Sequence, residues 1–180
     1  RYGPKKSDIE PQPKGCKGND CSIVIVEYSE FQCPFCARVI PDTERLMKEY
    51  KGKIVWAVRD YPLPFHDRAK AAAKAAHCSA SQKKYWEMYY KLFENQRKLS
   101  DSDFQTYAKS INLNMEKFNN CYKTSGKIDK LIDSNAAEGA KLGVTGTPAF
   151  FINGVRLSGA QPYSEFKKII EKQLKKNDRS

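Results

Sequence analysis

An apolar run at residues 23–26 leads through Glu27 and a short polar turn into Cys33-Pro34-Phe35-Cys36, and this junction leaves few folds open. The run lacks the in-out alternation of a half-exposed strand. It suits a strand buried on both faces, as in a parallel sheet covered by helices. Beyond the cysteines, Val39, Ile40, Leu46, Met47 and Tyr50 recur at helical spacing, with Pro41 inside the helix predicting a kink. Residues 53–59 form a second apolar strand. Strand, helix, strand at these lengths makes a right-handed βαβ unit.

The pattern then changes. From His66 to Leu142 nearly everything reads as helix, including an alanine-rich segment at 68–78 and a Tyr85, Met88, Tyr89, Leu92 stripe. Phe104, Tyr107, Ala108 and Ile111 mark another helix, and Asn114 reads as a cap for a short one carrying Met115, Phe118 and Cys121. Such aromatic stripes are core faces of helices. Strands return at residues 149–152 and 155–158, joined by Asn153-Gly154, which suits a type I′ hairpin turn. A closing helix presents Phe166, Ile169, Ile170 and Leu174 inward. The expected class is α/β, a βαβ unit and a ββα unit separated by an all-helical insertion. Residues 22–64 and 144–176 make the α/β domain, 65–143 the insertion, and 1–21, rich in Lys, Pro and Gly, an arm or loop.

The 180 residues suffice for one real core, with 40% hydrophobic and 12% aromatic residues. No apolar run approaches the ~18 residues of a membrane span. The formal net charge of +11 is spread along helices and interleaved with acids, so nucleic acid is not the expected partner. The chain opens on Arg1 with no signal-type stretch behind it, which fits a processed secreted protein and a trimmed chain equally and so decides nothing. The six cysteines, Cys16, Cys21, Cys33, Cys36, Cys78 and Cys121, form an even set that points to disulfides and an oxidising compartment.

Cys33 falls at the first turn of the helix, where unsatisfied N–H groups and the positive end of the dipole favour a thiolate. Its pKa is therefore expected below the ~8.5 of a free thiol. Cys33 reads as the exposed nucleophile and Cys36, a turn inward, as its buried partner. Two alternatives compete: a four-cysteine zinc site from Cys16, Cys21, Cys33 and Cys36, and an inert Cys33–Cys36 disulfide. The apolar strand between the two pairs counts against zinc. Glu27 lies inside that strand, so its carboxyl should have a raised pKa unless it points to a solvated edge. Cys78 and Cys121 lie on two insertion helices. A bridge there would close a loop of about 44 residues, worth about 4 kcal/mol, against about 2 kcal/mol for Cys16–Cys21. His66 and His77 lie outside the motif and read as helix-boundary or surface residues.

The Glu-Phe-Gln-Cys-Pro-Phe-Cys stretch, the helical insertion, and Gly146-Thr147-Pro148-Ala149-Phe150-Phe151-Ile152-Asn153-Gly154 together resemble the DsbA-like branch of the thioredoxin superfamily over residues 22–175. The resemblance implies a thioredoxin fold with an inserted helical domain. It also implies thiol–disulfide exchange in exported proteins, with no cofactor. By the same likeness Pro148 is cis and lies against the cysteines; an ordinary trans proline at a strand start is the alternative. Thr147 would then offer its backbone to an extended client, in a groove with Pro34, Phe35 and Gly146. Glu27 matches a buried acid that exchanges a proton with the buried cysteine. Some strongly oxidising relatives carry histidine between the cysteines, where this chain has Phe35, which makes a weaker oxidant.

The function expected is oxidation of exported proteins through a Cys33–Cys36 disulfide. Its partners would be reduced or unfolded clients and, by resemblance, a membrane quinone-linked oxidase that restores the disulfide. The protein would be a periplasmic or otherwise extracytoplasmic monomer. A reductase or isomerase role is the alternative, followed by a non-catalytic peptide-binding module with structural cysteines.

Overall fold

A computed structural model describes residues 13–16, 21–124 and 126–177. The other residues of the expected N-terminal arm lie outside them. The described chain forms β1 (Lys14–Gly15), β2 (Ile23–Ser29), α1 (Pro34–Glu49), β3 (Ile54–Asp60), α2 (Ala69–Ala80), α3 (Tyr85–Glu94), α4 (Asp101–Ser110), α5 (Met115–Thr124), α6 (Gly126–Lys141), β4 (Ala149–Ile152), β5 (Val155–Ser158) and α7 (Tyr163–Asn177). Among the described residues no helix is long and apolar enough to cross a membrane.

One sheet, in the order β1-β3-β2-β4-β5, organises the fold. Strands β2 and β3 run parallel with Ile25 opposite Trp56 and Glu27 opposite Val58. Strand β4 runs antiparallel to β2, placing Phe150 against Glu27. The β4–β5 hairpin turns at Asn153 and Gly154, whose φ angles of 47° and 82° fit the type I′ turn expected of that dipeptide. This is the thioredoxin-like arrangement, with α2 to α6 inserted between β3 and β4.

Two expectations are corrected. Lys14–Gly15 is a strand, paired antiparallel with β3 at Trp56 and Val55, where a loop was expected. Gly15 makes this possible: its φ is 102°, and a Cβ there would lie 2.4 Å from the Ile54 carbonyl oxygen. Nor is β2 buried on both faces along its apolar run, since Val24 and Val26 are only half-buried. Their face forms a shallow groove with Leu142 and Phe151.

The two sheet faces are unequal. Ile23, Ile25, Ile54, Trp56, Phe150 and Ile152 enter the main core with Val39 and Leu46 of α1, Phe166 and Ile170 of α7, and the apolar faces of the insertion helices. On the other face Tyr28, Ala149 and Val144 form a small second cluster. Helix α6 approaches that face through Gly139, where a Cβ would stand 2.9 Å from the rings of Tyr28 and Tyr61. Asn114 caps α5 by accepting the Lys117 N–H at 2.9 Å. Disulfides join Cys78 to Cys121, tying α2 to α5, and Cys16 to Cys21 beside β1. Cys16 and Cys21 thus pair with each other.

Candidate active site

The cysteine pair sits where β2 hands the chain to α1. Cys33 is the N-cap residue in an extended conformation (φ −70°, ψ 116°), and Pro34 opens the helix, where a missing N–H costs nothing. Cys36 lies one turn inside. Both are free thiols. The helix continues unbroken through Pro41.

The sequence placed Cys33 at the surface, and the structure corrects this. Cys33 is only 2% exposed, and its Sγ lies 3.4 Å from the Thr147 carbonyl oxygen. The exposed feature is its neighbour Phe35, at 51%, with the Arg38 guanidinium 4.9 Å from its ring centroid. The Thr147–Pro148 peptide is cis and lies just before β4, with the Thr147 carbonyl beside Cys33. Pro34 and Phe35 lie in the first turn of α1, Gly146, Thr147 and Pro148 lie just before β4, and the contact between Cys33 Sγ and the Thr147 carbonyl joins the two segments.

The two thiols are driven apart in acidity. A hydrogen bond from the Cys36 thiol lowers the Cys33 pKa most; burial opposes it, while the Thr147 side chain and the N–H groups of Cys36 and Phe35 assist. The result is about 5 against an ordinary 9.0. Burial pushes Cys36 well above its usual range, helped by the hydrogen bond it gives to Cys33 and by the charges of Cys33 and Glu27. Cys33 is therefore the thiolate at neutral pH and Cys36 the protonated reserve.

Glu27 faces this pair from β2. It is 1% exposed, and Trp56 Nε1 donates to its Oε2 at 3.0 Å. Burial dominates and raises its pKa from 4.5 to about 7, against the lowering effect of Trp56 and Ser29. The buried side-chain polar atoms found without a hydrogen-bond partner among the described residues are Glu27 Oε1, Ser29 Oγ and Thr147 Oγ1. All three belong to residues that act on the cysteines. Among the described residues no other buried side-chain nitrogen or oxygen lacks a partner, so the unsatisfied ones gather at the cysteine pair.

Several contributors carry no sequence signal. Gln96, after α3, donates to the carbonyls of Phe31 and Cys33, both at 2.8 Å, and so fastens the insertion to the cysteine turn. Trp56 was read as an apolar strand residue; its N–H is what holds Glu27. The histidines lie near the two ends of α2, in keeping with a helix-boundary place, but neither is a freely solvated surface residue. His77 is 1% exposed, with Nε2 2.7 Å from Asp60 Oδ2, which Asn135 also reaches at 2.9 Å. Although burial would raise the Asp60 pKa, His77 and Asn135 hold it below its usual value. His66, just before α2, is half-buried against Glu30.

Known proteins place this arrangement. A family model described as Thioredoxin matches residues 18–172. Among solved structures, the thiol-disulfide exchange protein alpha-DsbA2 from Wolbachia pipientis superposes with a TM-score of 0.79 at 23% identity, covering 90% of this chain and 86% of that one. A periplasmic thioredoxin-like protein from Salmonella enterica serovar Typhimurium gives 0.77 at 18% identity, covering 94% and 92%. In sequence, the chain is 32% identical over 154 residues to the Na(+)/H(+) antiporter NhaA 1 of Mycolicibacterium vanbaalenii, covering 84% of this chain and 25% of that protein. The chain thus spans about a quarter of the length of the curated relatives it matches. The chain belongs to the thioredoxin family, in the DsbA-like form of the fold whose βαβ and ββα units are parted by a helical block.

Proposed function

We propose that this protein is a thiol–disulfide oxidoreductase that passes the Cys33–Cys36 disulfide to reduced, exported client proteins. The observation that carries the reading is the placement of the pair: Cys33 at the N-cap of α1 with its Sγ 3.4 Å from the carbonyl of the cis Thr147–Pro148 peptide and Cys36 one turn inside, an arrangement that lowers the Cys33 pKa and raises that of Cys36. In the oxidising direction a client thiolate attacks Cys33 Sγ of the disulfide and Cys36 leaves. Cys36 holds a proton strongly, and Glu27, half-protonated near neutral pH, supplies it. A second client thiolate then attacks the client sulfur of the mixed disulfide. Cys33 departs as a stabilised thiolate, so a low pKa speeds release. Two client thiols have become a disulfide and the enzyme is a dithiol.

The groove of Pro34, Phe35, Gly146, Thr147 and Pro148 would take an extended client segment, with the Thr147 backbone offering strand-like hydrogen bonds. The Cys78–Cys121 and Cys16–Cys21 disulfides support work in an extracytoplasmic, oxidising compartment. The structural likeness to a periplasmic thioredoxin-like protein of Salmonella enterica agrees with a periplasmic site. A membrane quinone-linked oxidase is the reoxidant in this reading, and the enzyme acts as a monomer.

A reductive role is the second reading, favoured by Phe35: a phenyl ring between the cysteines donates no hydrogen bond to the Cys33 thiolate. Equilibration in glutathione buffers separates the two. A potential near about −120 to −180 mV supports disulfide donation, and one near about −270 mV assigns the reverse flow. A pair that does not exchange leaves only a peptide-binding role.

A further inference from the structure

The turn between β2 and α1 carries a second buried acid that the chemistry above does not use. Glu30 is 3% exposed, and its own carbonyl accepts the Cys33 N–H at 3.3 Å. Its Oε2 accepts the Gln32 N–H at 2.7 Å, and its Oε1 pairs with Nδ1 of His66, from the β3–α2 connection. Gln32 reaches the same connection, accepting the Arg68 N–H at 2.6 Å and donating to Asp67 at 3.2 Å. Two side chains of the cysteine turn are therefore laced to one connecting segment.

A carboxylate on this turn is at odds with a thiolate nucleophile. Like charges raise each other's pKa, and burial weakens the screening between them. Burial raises the Glu30 pKa first, and the charge of Cys33 adds to it, while the Gln32 N–H and His66 pull it down. The other charged groups near the turn offer little relief. Glu27 is a further acid, and Asp67 another. The Arg68 guanidinium is engaged by Asp101 and the Leu99 carbonyl.

We propose that His66 is a positioning residue that, when protonated, offsets the charge of the Glu30 carboxylate, so that the turn holds Cys33 as a thiolate at a smaller electrostatic cost. Resting on the reading of Cys33 as nucleophile, this assigns the charge-balancing part to a side chain well outside the Cys-x-x-Cys motif. The sequence gives His66 no such mark.

The test is the pH dependence of Cys33 alkylation by iodoacetamide in the reduced full chain, located by mass spectrometry. His66→Gln keeps a hydrogen bond to Glu30 but removes the charge, and it should raise the Cys33 midpoint by roughly 0.5–1 pH unit. Glu30→Gln should lower it, and the double variant should return near the wild type. His66→Lys, which keeps the charge, should hold the wild-type midpoint. A purely structural role would not move the two single variants in opposite directions. Equal or same-signed shifts overturn the inference, as does a raised midpoint in His66→Lys. If the wild-type midpoint lies in the ordinary thiol range, the nucleophile reading falls and this inference with it.

Discussion

Replacing Glu27 with glutamine should make the protein more stable and less active. The carboxyl has a pKa of about 7 in the folded chain and an ordinary value of 4.5 otherwise, mainly because burial penalises its charge. For an acid whose folded pKa is raised, the unfolded chain releases the proton first. The charge then costs the folded state progressively as pH rises from 4.5 to about 7. The cost at pH 7 comes to about 3 kcal/mol and changes little at higher pH. Glutamine preserves the shape and can still accept the Trp56 N–H, now at 3.0 Å from Glu27. Urea unfolding of both reduced proteins should show curves that coincide near pH 4 and separate by about 2–3 kcal/mol at pH 8, with glutamine the more stable. Over the same range the oxidised variant should form its mixed disulfide with a client at least about tenfold more slowly, because no group supplies a proton to the departing Cys36. A variant less stable at pH 8, or a gap identical at pH 4 and pH 8, would refute the argument that burial sets this carboxyl's acidity.

Cys33 titrates with the opposite sign. With its folded pKa lowered to about 5, its thiolate stabilises the reduced protein fully above the ordinary 9.0, and that stability is lost as pH falls through about 5; comparing reduced wild type with Cys33→Ser across this window isolates it. Converting Cys78 and Cys121 together to alanine should cost about 4 kcal/mol in denaturant unfolding, whereas the same change at Cys16 and Cys21 should cost about 2 kcal/mol. Gly139→Ala places a methyl 2.9 Å from the Tyr28 and Tyr61 rings, and a loss of about 1–3 kcal/mol is expected, read as a lower urea midpoint at unchanged slope.

What the sequence disclosed follows from what is local. The strand–cysteine–helix junction, the Asn153-Gly154 turn and the apolar stripes of the insertion each express a preference within a few residues, and each element is present. Ends shifted by a residue or two: β3 runs on to Asp60, and α2 extends through Ala80. The misses involve partners distant in the chain. A two-residue strand such as Lys14–Gly15 has no periodicity to read, and its place depends on the edge that β3 leaves open. Cys33 was expected at the surface because the helix end favours an exposed sulfur, yet it is buried, with the Thr147 carbonyl just before β4 beside it. His77 carries no mark that it meets Asp60 and Asn135, and the Glu27–Trp56 bond depends on the register of two parallel strands.

For the sheet, the five inserted helices are a long detour with a short gap. Nearly 90 residues separate the end of β3 from the start of β4. Closure entropy grows only with the logarithm of length, so such a detour costs about 2 kcal/mol more than a link of about 10 residues. Its entrance and exit run side by side, with Lys70 on α2 bound to Asp133 on α6 at 2.6 Å and Lys74 to Asp129 at 3.1 Å. Lineages can therefore lengthen, shorten or reshape the segment from α3 to α5 without prising the strands apart. Such remodelling would be felt at the cysteines through Gln96, whose amide grips the Phe31 and Cys33 carbonyls, and through the packing of Phe31 on Tyr89 and Phe93 of α3, so the block can diversify in shape while these contacts keep it in register with the chemistry.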